Sequence, residues 1–246
     1  MRKIIYLLTI FSVVRVAFPE NQGTTAQTGS TVEESKEVNT FSENEALESL
    51  LIIEGMGGAA GTGFITEIND RVFAVTNLHV ISAFGNPKNP NVSIRTAQNV
   101  KLEVERVFGA QDHDIALIQF EKSESYRDRA LTFKDSIEKF VQTDDEVKIP
   151  GNSKGRGVFL WTPGKIRGIG TNKIEHDAPT FRGNSGSPVI HISSNSVIGV
   201  DTETTFDPIE DPFDKDARDN KDSAIKDDYR YFAYRLNTPD SWYQID

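Results

Sequence analysis

The sequence predicts an all-β protein built as two six-stranded antiparallel β-barrels side by side. Three observations predict it. From Leu50 onward the chain breaks into short runs rich in Val, Ile, Phe and Thr, the residues that suit a pleated, half-buried surface. Clusters of Gly, Asn and Pro separate the runs, as at 55–63, 69–70 and 85–91, and such clusters mark turns. The runs fall into two alike series of six, divided by a more polar connection over 123–140.

The first series is LLIIEG (50–55), TGFITEI (62–68), RVFAVTNLHVI (71–81), VSIRT (92–96), LEVERVF (102–108) and DIALIQF (114–120). The second is EVKIPG (146–151), GVFLWTPGKIRGIG (157–170), KIEHD (173–177), SPVIHI (187–192), SVIGVDTE (196–203) and YRYFAYRLN (229–237). The expected boundaries are 48–140 for barrel one and 141–240 for barrel two, within a domain over 48–246. The connection at 123–140 is expected to be partly helical.

Three segments lie outside this pattern. Arg2 and Lys3 precede an apolar run over 4–14, which has the length of a signal peptide and is short for a membrane span. Residues 1–18 are read as an export signal, with an uncleaved N-terminal membrane anchor as the alternative. Residues 19–47 are rich in Gln, Thr, Ser, Glu and Asn and read as a flexible linker, with a helical turn or two starting at Glu43. The stretch 202–230 reads as an acidic loop. Residues 201–228 hold eleven acidic and four basic residues, a net of −7, which is most of the chain's −10. Asp214, Asp216 and Asp219 lack the central glycine and closing glutamate of a calcium loop, and no metal or cofactor is expected.

Composition limits the function classes. A net charge of −10 argues against a nucleic-acid partner held through phosphates. No cysteine is present, so disulfides, thiolate metal sites and a cysteine nucleophile are excluded. An exported chain without cysteine fits a secreted or periplasmic bacterial protein.

The candidate site centres on FRGNSGSP (181–188). Gly183 and Gly186 permit tight turns and close approach of a ligand. Such a turn can present the Ser185 hydroxyl and aim the amides of Gly183 and Ser185 at one point, as an oxyanion hole requires. A serine hydroxyl needs an imidazole to take its proton, and the imidazole needs a carboxylate to fix its tautomer. His79, at the end of an apolar run, and Asp114, at the start of one, supply both in the order His, Asp, Ser. Asp112 and His113 compete for the acid and base roles; Asp114 is preferred because it directly precedes the apolar strand. His176 and His191 are read as structural or exposed. The Ser, Asp, His order of α/β-hydrolases does not fit.

These motifs resemble the chymotrypsin-like (trypsin-fold) serine peptidases, in particular the bacterial glutamyl-endopeptidase and Deg/HtrA-type branches, without a PDZ domain. The matching segments are GTGFI (61–65), VTNLHVI (75–81), DIALIQF (114–120), TPGKI (162–166), GNSGSPVI (183–190) and SVIGV (196–200). The resemblance implies a serine endopeptidase with His79 as general base and acid, Asp114 as orienting acid and Ser185 as nucleophile. It implies an oxyanion hole at Gly183, Asn184 and Ser185, and a polypeptide as substrate. It also implies a substrate pocket lined by Thr180, Asp201, Thr202 and Glu203. Asn184 stands where trypsin has an aspartate, which speaks against trypsin-style activation. Asp201 stands where glutamyl endopeptidases carry a histidine, so a basic or small polar residue before the scissile bond is expected. A neutral histidine is required of the base, so activity should fall as pH drops through its pKa. A catalytically silent binding protein on the same fold and an esterase-like acyl hydrolase are the alternatives.

Overall fold

The computed structural model describes residues 41–55, 59–84, 92–207, 228–239 and 241–245. The signal reading over 1–18, the linker up to residue 40 and the carboxylates of Asp214, Asp216 and Asp219 lie outside these residues. Among the described residues no helix is long and apolar enough to cross a membrane.

All twelve expected runs form strands, and a thirteenth follows them. The first series gives β1 (Leu50–Glu54), β2 (Ala60–Ile68), β3 (Arg71–Thr76), β4 (Ser93–Thr96), β5 (Val104–Ala110) and β6 (Ala116–Phe120). The second gives β7 (Glu146–Gly151), β8 (Leu160–Ile169), β9 (Lys173–His176), β10 (Pro188–His191), β11 (Ser196–Asp207) and β12 (Asp228–Arg235). The last, β13 (Trp242–Ile245), returns to pair antiparallel with β5.

The second series closes as the expected six-stranded barrel, in the order β10-β11-β12-β9-β8-β7. The first does not form a six-stranded barrel. It is an open seven-stranded sheet, β13-β5-β6-β3-β2-β1-β4. The difference comes from β13, which occupies the β5 edge with Trp242 opposite Ala110 and Ile245 opposite Val107. A covered edge no longer presents unpaired backbone groups.

Side-chain alternation explains why these strands read as nearly continuous apolar runs. On β1, Leu51 and Ile53 fill the core of the first sheet, while Leu50 faces a cluster shared with Ile190, Val197 and Val200 of the second barrel. Ile65 and Phe64 of β2, and Ala74 and Val75 of β3, divide in the same way. Both faces of these strands are thus buried, one inside the sheet and one between the lobes. The second barrel has its own core of Val147, Ile149, Ile166, Ile174, Val189 and Ile198.

Two segments depart from expectation at their ends. The helix α1 (Glu43–Leu47), capped by the Ser42 hydroxyl, is packed rather than loose. Glu43 pairs with Lys148 at 2.5 Å, and Phe41 meets the Trp161 ring edge-on. β11 and β12 run into the acidic stretch as far as Asp207 and from Asp228; residues 208–227 lie outside the described residues. The connection 123–140 contains two 3-10 turns, Ser123–Arg129 and Ile137–Lys139.

Candidate active site

The site lies where the open sheet meets the barrel. His79 sits in the first turn of a short helix, α2 (Leu78–Phe84), that begins two residues after β3 ends. The sequence pattern continued the strand through this point; the chain instead turns at buried Asn77. The Asn77 Nδ2 donates to the Asp114 carbonyl at 2.8 Å, which ties the two segments together.

Asp114, just before β6, is the carboxylate that meets His79. Its Oδ1 accepts the His79 backbone N–H at 2.8 Å, and its Oδ2 lies 2.6 Å from His79 Nδ1. The Thr202 hydroxyl also donates to Oδ2, at 2.7 Å. Burial opposes ionisation of Asp114, but the bonds from the His79 ring, Thr202 and the His79 amide outweigh it and hold the carboxyl below its ordinary value. An ionised carboxylate only accepts, so Nδ1 carries the proton and Nε2 of the neutral ring keeps its lone pair. The half-exposed imidazole leaves that nitrogen accessible.

His113 is placed elsewhere. Its Nε2 meets the Thr238 hydroxyl at 2.8 Å and its ring packs edge-on against Tyr234. Asp112 is exposed.

Ser185 lies in the turn between β9 and β10. Gly183 has φ +100° and Gly186 φ +90°, conformations that favour glycine. A Cβ on Gly186 would lie 2.1 Å from the Thr62 carbonyl oxygen. The turn sets its amides apart in pairs. Asn184 N donates to Phe181 O and Gly186 N to Asp201 O, each at 2.9 Å. Among the described residues, the Gly183 and Ser185 amides donate to no protein acceptor. The Arg182 carbonyl accepts from Lys154 N at 2.7 Å, and in a trans peptide this turns the Gly183 N–H to the opposite side.

The turn is bound to the first sheet by Thr62 N, which donates to Ser185 O at 2.9 Å. Gly61 fits beneath it; a Cβ there would lie 2.7 Å from Val80, the neighbour of His79, and 3.4 Å from Ser185 O. The hydrogen bonds of the described residues do not include one between Ser185 and His79; such bonds are often long before a substrate is present. Asn184 is fully buried, and its Oδ1 accepts from the Ser153 hydroxyl at 2.7 Å.

The four expected pocket residues divide. Thr180 and Asp201 are both buried beside the turn. Asp201 bonds to His176 Nε2 at 3.1 Å, and Tyr231 stacks on that imidazole with ring centres 6.0 Å apart. Burial pushes the Asp201 carboxyl up, against the pull of the His176 and Thr180 hydrogen bonds. Thr202 turns its hydroxyl to Asp114 instead. It stands at an irregularity in β11, where Asp201 pairs with Ala233 and Glu203 with Phe232; an extra residue of this kind re-aims a side chain. Glu203 is placed by its backbone in β11.

A second group of the same residue types exists in the β10–β11 turn. His191 lies 3.0 Å from Asp145 Oδ2 and 2.7 Å from the Ser194 hydroxyl. This His191 is buried, and Ser194 Oγ is shared with Ser196 Oγ at 2.6 Å. The Asn195 amide is committed to Ile192 O. The group ties a hairpin around a buried imidazole held by Asp145, Ser193 and Ser194. A cavity of about 260 Å³ between α1, Arg129 and Ser196 shares no residue with the His79–Ser185 site.

Residues 61–200 match the family described as Trypsin-like peptidase domain. The chain belongs to that family. Solved structures share the fold of this peptidase domain. The Rv3671c protease of M. tuberculosis in its active form superposes with a TM-score of 0.57 at 20% identity, over 89% of this chain and 90% of that one. The HtrA-type protease AlgW, solved with a tripeptide, gives 0.56 at 18% identity, over 80% and 59%. A serine endoprotease from Yersinia pestis gives 0.51 at 21% identity, over 65% and 55%. The chain thus spans little more than half the length of the last two. No curated protein matches its sequence.

Sequence reading missed three features of the site: the His176 partner of Asp201, the Thr202 bond to Asp114, and the 152–157 turn behind Ser185. Each is a contact between segments far apart in the chain.

Proposed function

We propose that the chain is a serine endopeptidase in which Ser185 is the nucleophile, His79 the general base and acid, and Asp114 the orienting carboxylate. The observation that carries this reading is the His79–Asp114 pair, joined by two hydrogen bonds and a third from Thr202. It fixes the imidazole tautomer that can take a proton. Family membership and the two undonated amides beside Ser185 support it.

In this reading Ser185 Oγ attacks the substrate carbonyl carbon and His79 Nε2 takes the hydroxyl proton. The carbonyl oxygen gains the electron pair and accepts from the Gly183 and Ser185 amides. The C–N bond then breaks, Nε2–H delivers its proton to the leaving amine, and an acyl-Ser185 ester remains. Water, deprotonated by the same nitrogen, releases the acid.

Asp201 shapes the neighbouring pocket differently from a bare carboxylate. It is buried and bonded to His176, and burial favours its protonated, uncharged form. The ground for preferring a basic residue before the scissile bond is therefore weakened, and small, neutral side chains fit better against Thr180 and this pair. The N-terminal pattern of Arg2, Lys3 and the apolar run over 4–14 supports an exported enzyme.

An organophosphonate probe tests the reading. Covalent label should map by mass spectrometry to Ser185 and disappear in Ser185→Ala. A folded wild-type chain that takes no label and cleaves no peptide library would support the silent binding-protein reading instead.

A further inference from the structure

We propose that Thr62 is a positioning residue for the oxyanion loop, holding the Gly183 amide through a single hydroxyl shared between two loops; the inference rests on the peptidase reading above. Thr62 belongs to β2 of the open sheet and is fully buried. Its polar atoms are turned to the nucleophile loop, the turn behind it, and Thr76. The amide donates to Ser185 O at 2.9 Å. Oγ1 donates to Gly183 O at 2.7 Å and accepts from Asn152 N at 2.9 Å. The carbonyl accepts from Thr76 Oγ1 at 2.7 Å.

One oxygen that donates and accepts at once must be a hydroxyl. Its two partners control the neighbouring peptides. Holding Gly183 O fixes the 183–184 peptide. Holding Asn152 N fixes the turn over 152–155, whose Lys154 amide holds Arg182 O and so aims the Gly183 N–H. The two loops are already in close contact, since a Cβ on Gly183 would lie 2.3 Å from Asn152 O. Ser153, in the same turn, holds the Asn184 side chain through a hydrogen bond to Oδ1. Removing the Thr62 hydroxyl leaves a buried carbonyl and a buried amide without a partner, and rotation of these peptides is the relief open to them. That rotation would withdraw a donor from the developing oxyanion while leaving the substrate groove intact.

The test compares Thr62→Val, which keeps the shape, with Thr62→Ser, which keeps the oxygen. Substrates are a cleaved library peptide, the boronic acid of that sequence, and its non-cleavable reduced-bond form. Thr62→Val should lower kcat about 10- to 100-fold with KM within about twofold, the scale of a weakened oxyanion donor. Boronate affinity should fall by a similar factor, reduced-bond affinity should hold, and Thr62→Ser should restore kcat. Equal losses for both inhibitors, or a folded Thr62→Val with unchanged kcat, would overturn the proposal. If Thr62→Val does not fold, Ser153→Ala should show the same split between kcat and KM, and its absence there overturns it. Amide exchange across 181–187 provides a readout independent of turnover. It should quicken in Thr62→Val while β10 stays protected; unchanged exchange overturns the proposal. Failure of the wild type to label at Ser185 would instead count against the peptidase reading.

Discussion

Asp114→Asn is nearly isosteric, yet the contacts around the carboxylate make its effect specific. The carboxylate accepts three hydrogen bonds: the His79 amide on Oδ1, and His79 Nδ1 and Thr202 Oγ1 on Oδ2. An asparagine must place its NH₂ at one of these two positions. At the Oδ1 position it faces the His79 backbone N–H, and two donors meet with no means of relief. At the Oδ2 position it faces Thr202, whose hydroxyl can rotate to accept, and Nδ1, which can accept only if the ring proton moves to Nε2. The second arrangement wins, and it turns the base into a donor toward Ser185. The expected loss in kcat is about 10⁴-fold, the scale for a wrong tautomer in such a triad, or about 5.4 kcal/mol of barrier. The assay is kcat and KM on a cleaved peptide, beside circular dichroism for fold. A folded Asp114→Asn chain with kcat within about tenfold of wild type at neutral pH would refute the reasoning.

Other outcomes follow from the same structure. Asp201→Asn should be more stable than wild type near neutral pH. The folded pKa of Asp201 is raised, so the native state holds its proton longer than the unfolded chain, and wild-type stability falls as pH rises from the ordinary carboxylate value toward the raised one. Thermal melts should therefore diverge with rising pH and coincide at acid pH; a constant difference would contradict the assignment. Gly186→Ala should cost about 3 kcal/mol in a urea titration, because the methyl meets the Thr62 carbonyl and Thr76 hydroxyl at an unfavourable φ; a loss under about 1 kcal/mol would argue against this turn geometry. Ser194→Ala should leave peptide cleavage and Ser185 labelling within about twofold, since its histidine is enclosed in a hairpin; loss of cleavage would move the nucleophile to the second group. Phe64→Ala, between the lobes, should destabilise by about 3–5 kcal/mol in the same titration; a smaller loss would mean the lobes repack around the gap.

The strands were legible because local pattern decides them. All twelve expected runs are rich in β-formers and bounded by turn residues, and each became a strand. The missing element, β13, is four residues with no flanking pattern, and only pairing with β5 makes it a strand. The first lobe therefore became an open seven-stranded sheet rather than the expected six-stranded barrel. His79 read as strand because apolar Val75, Val80 and Ile81 surround it, yet the chain turns at Asn77 into α2. His176 read as outside the site because its partner Asp201 lies 25 residues away.

The sequence by itself determined the chemistry on offer: no cysteine, one serine between two glycines, and a histidine and an aspartate before it in order. Residue type and local spacing carry that information. Tertiary structure decided which groups meet. It joined Asp114, rather than Asp112, to His79 and set buried Asp201 against His176. It also set the Thr62 hydroxyl between Gly183 and Asn152. The first contact lies within the open sheet, the second within the barrel, and the third crosses the seam between them; each depends on how strands distant in the chain pair and pack, which no local run of residues encodes.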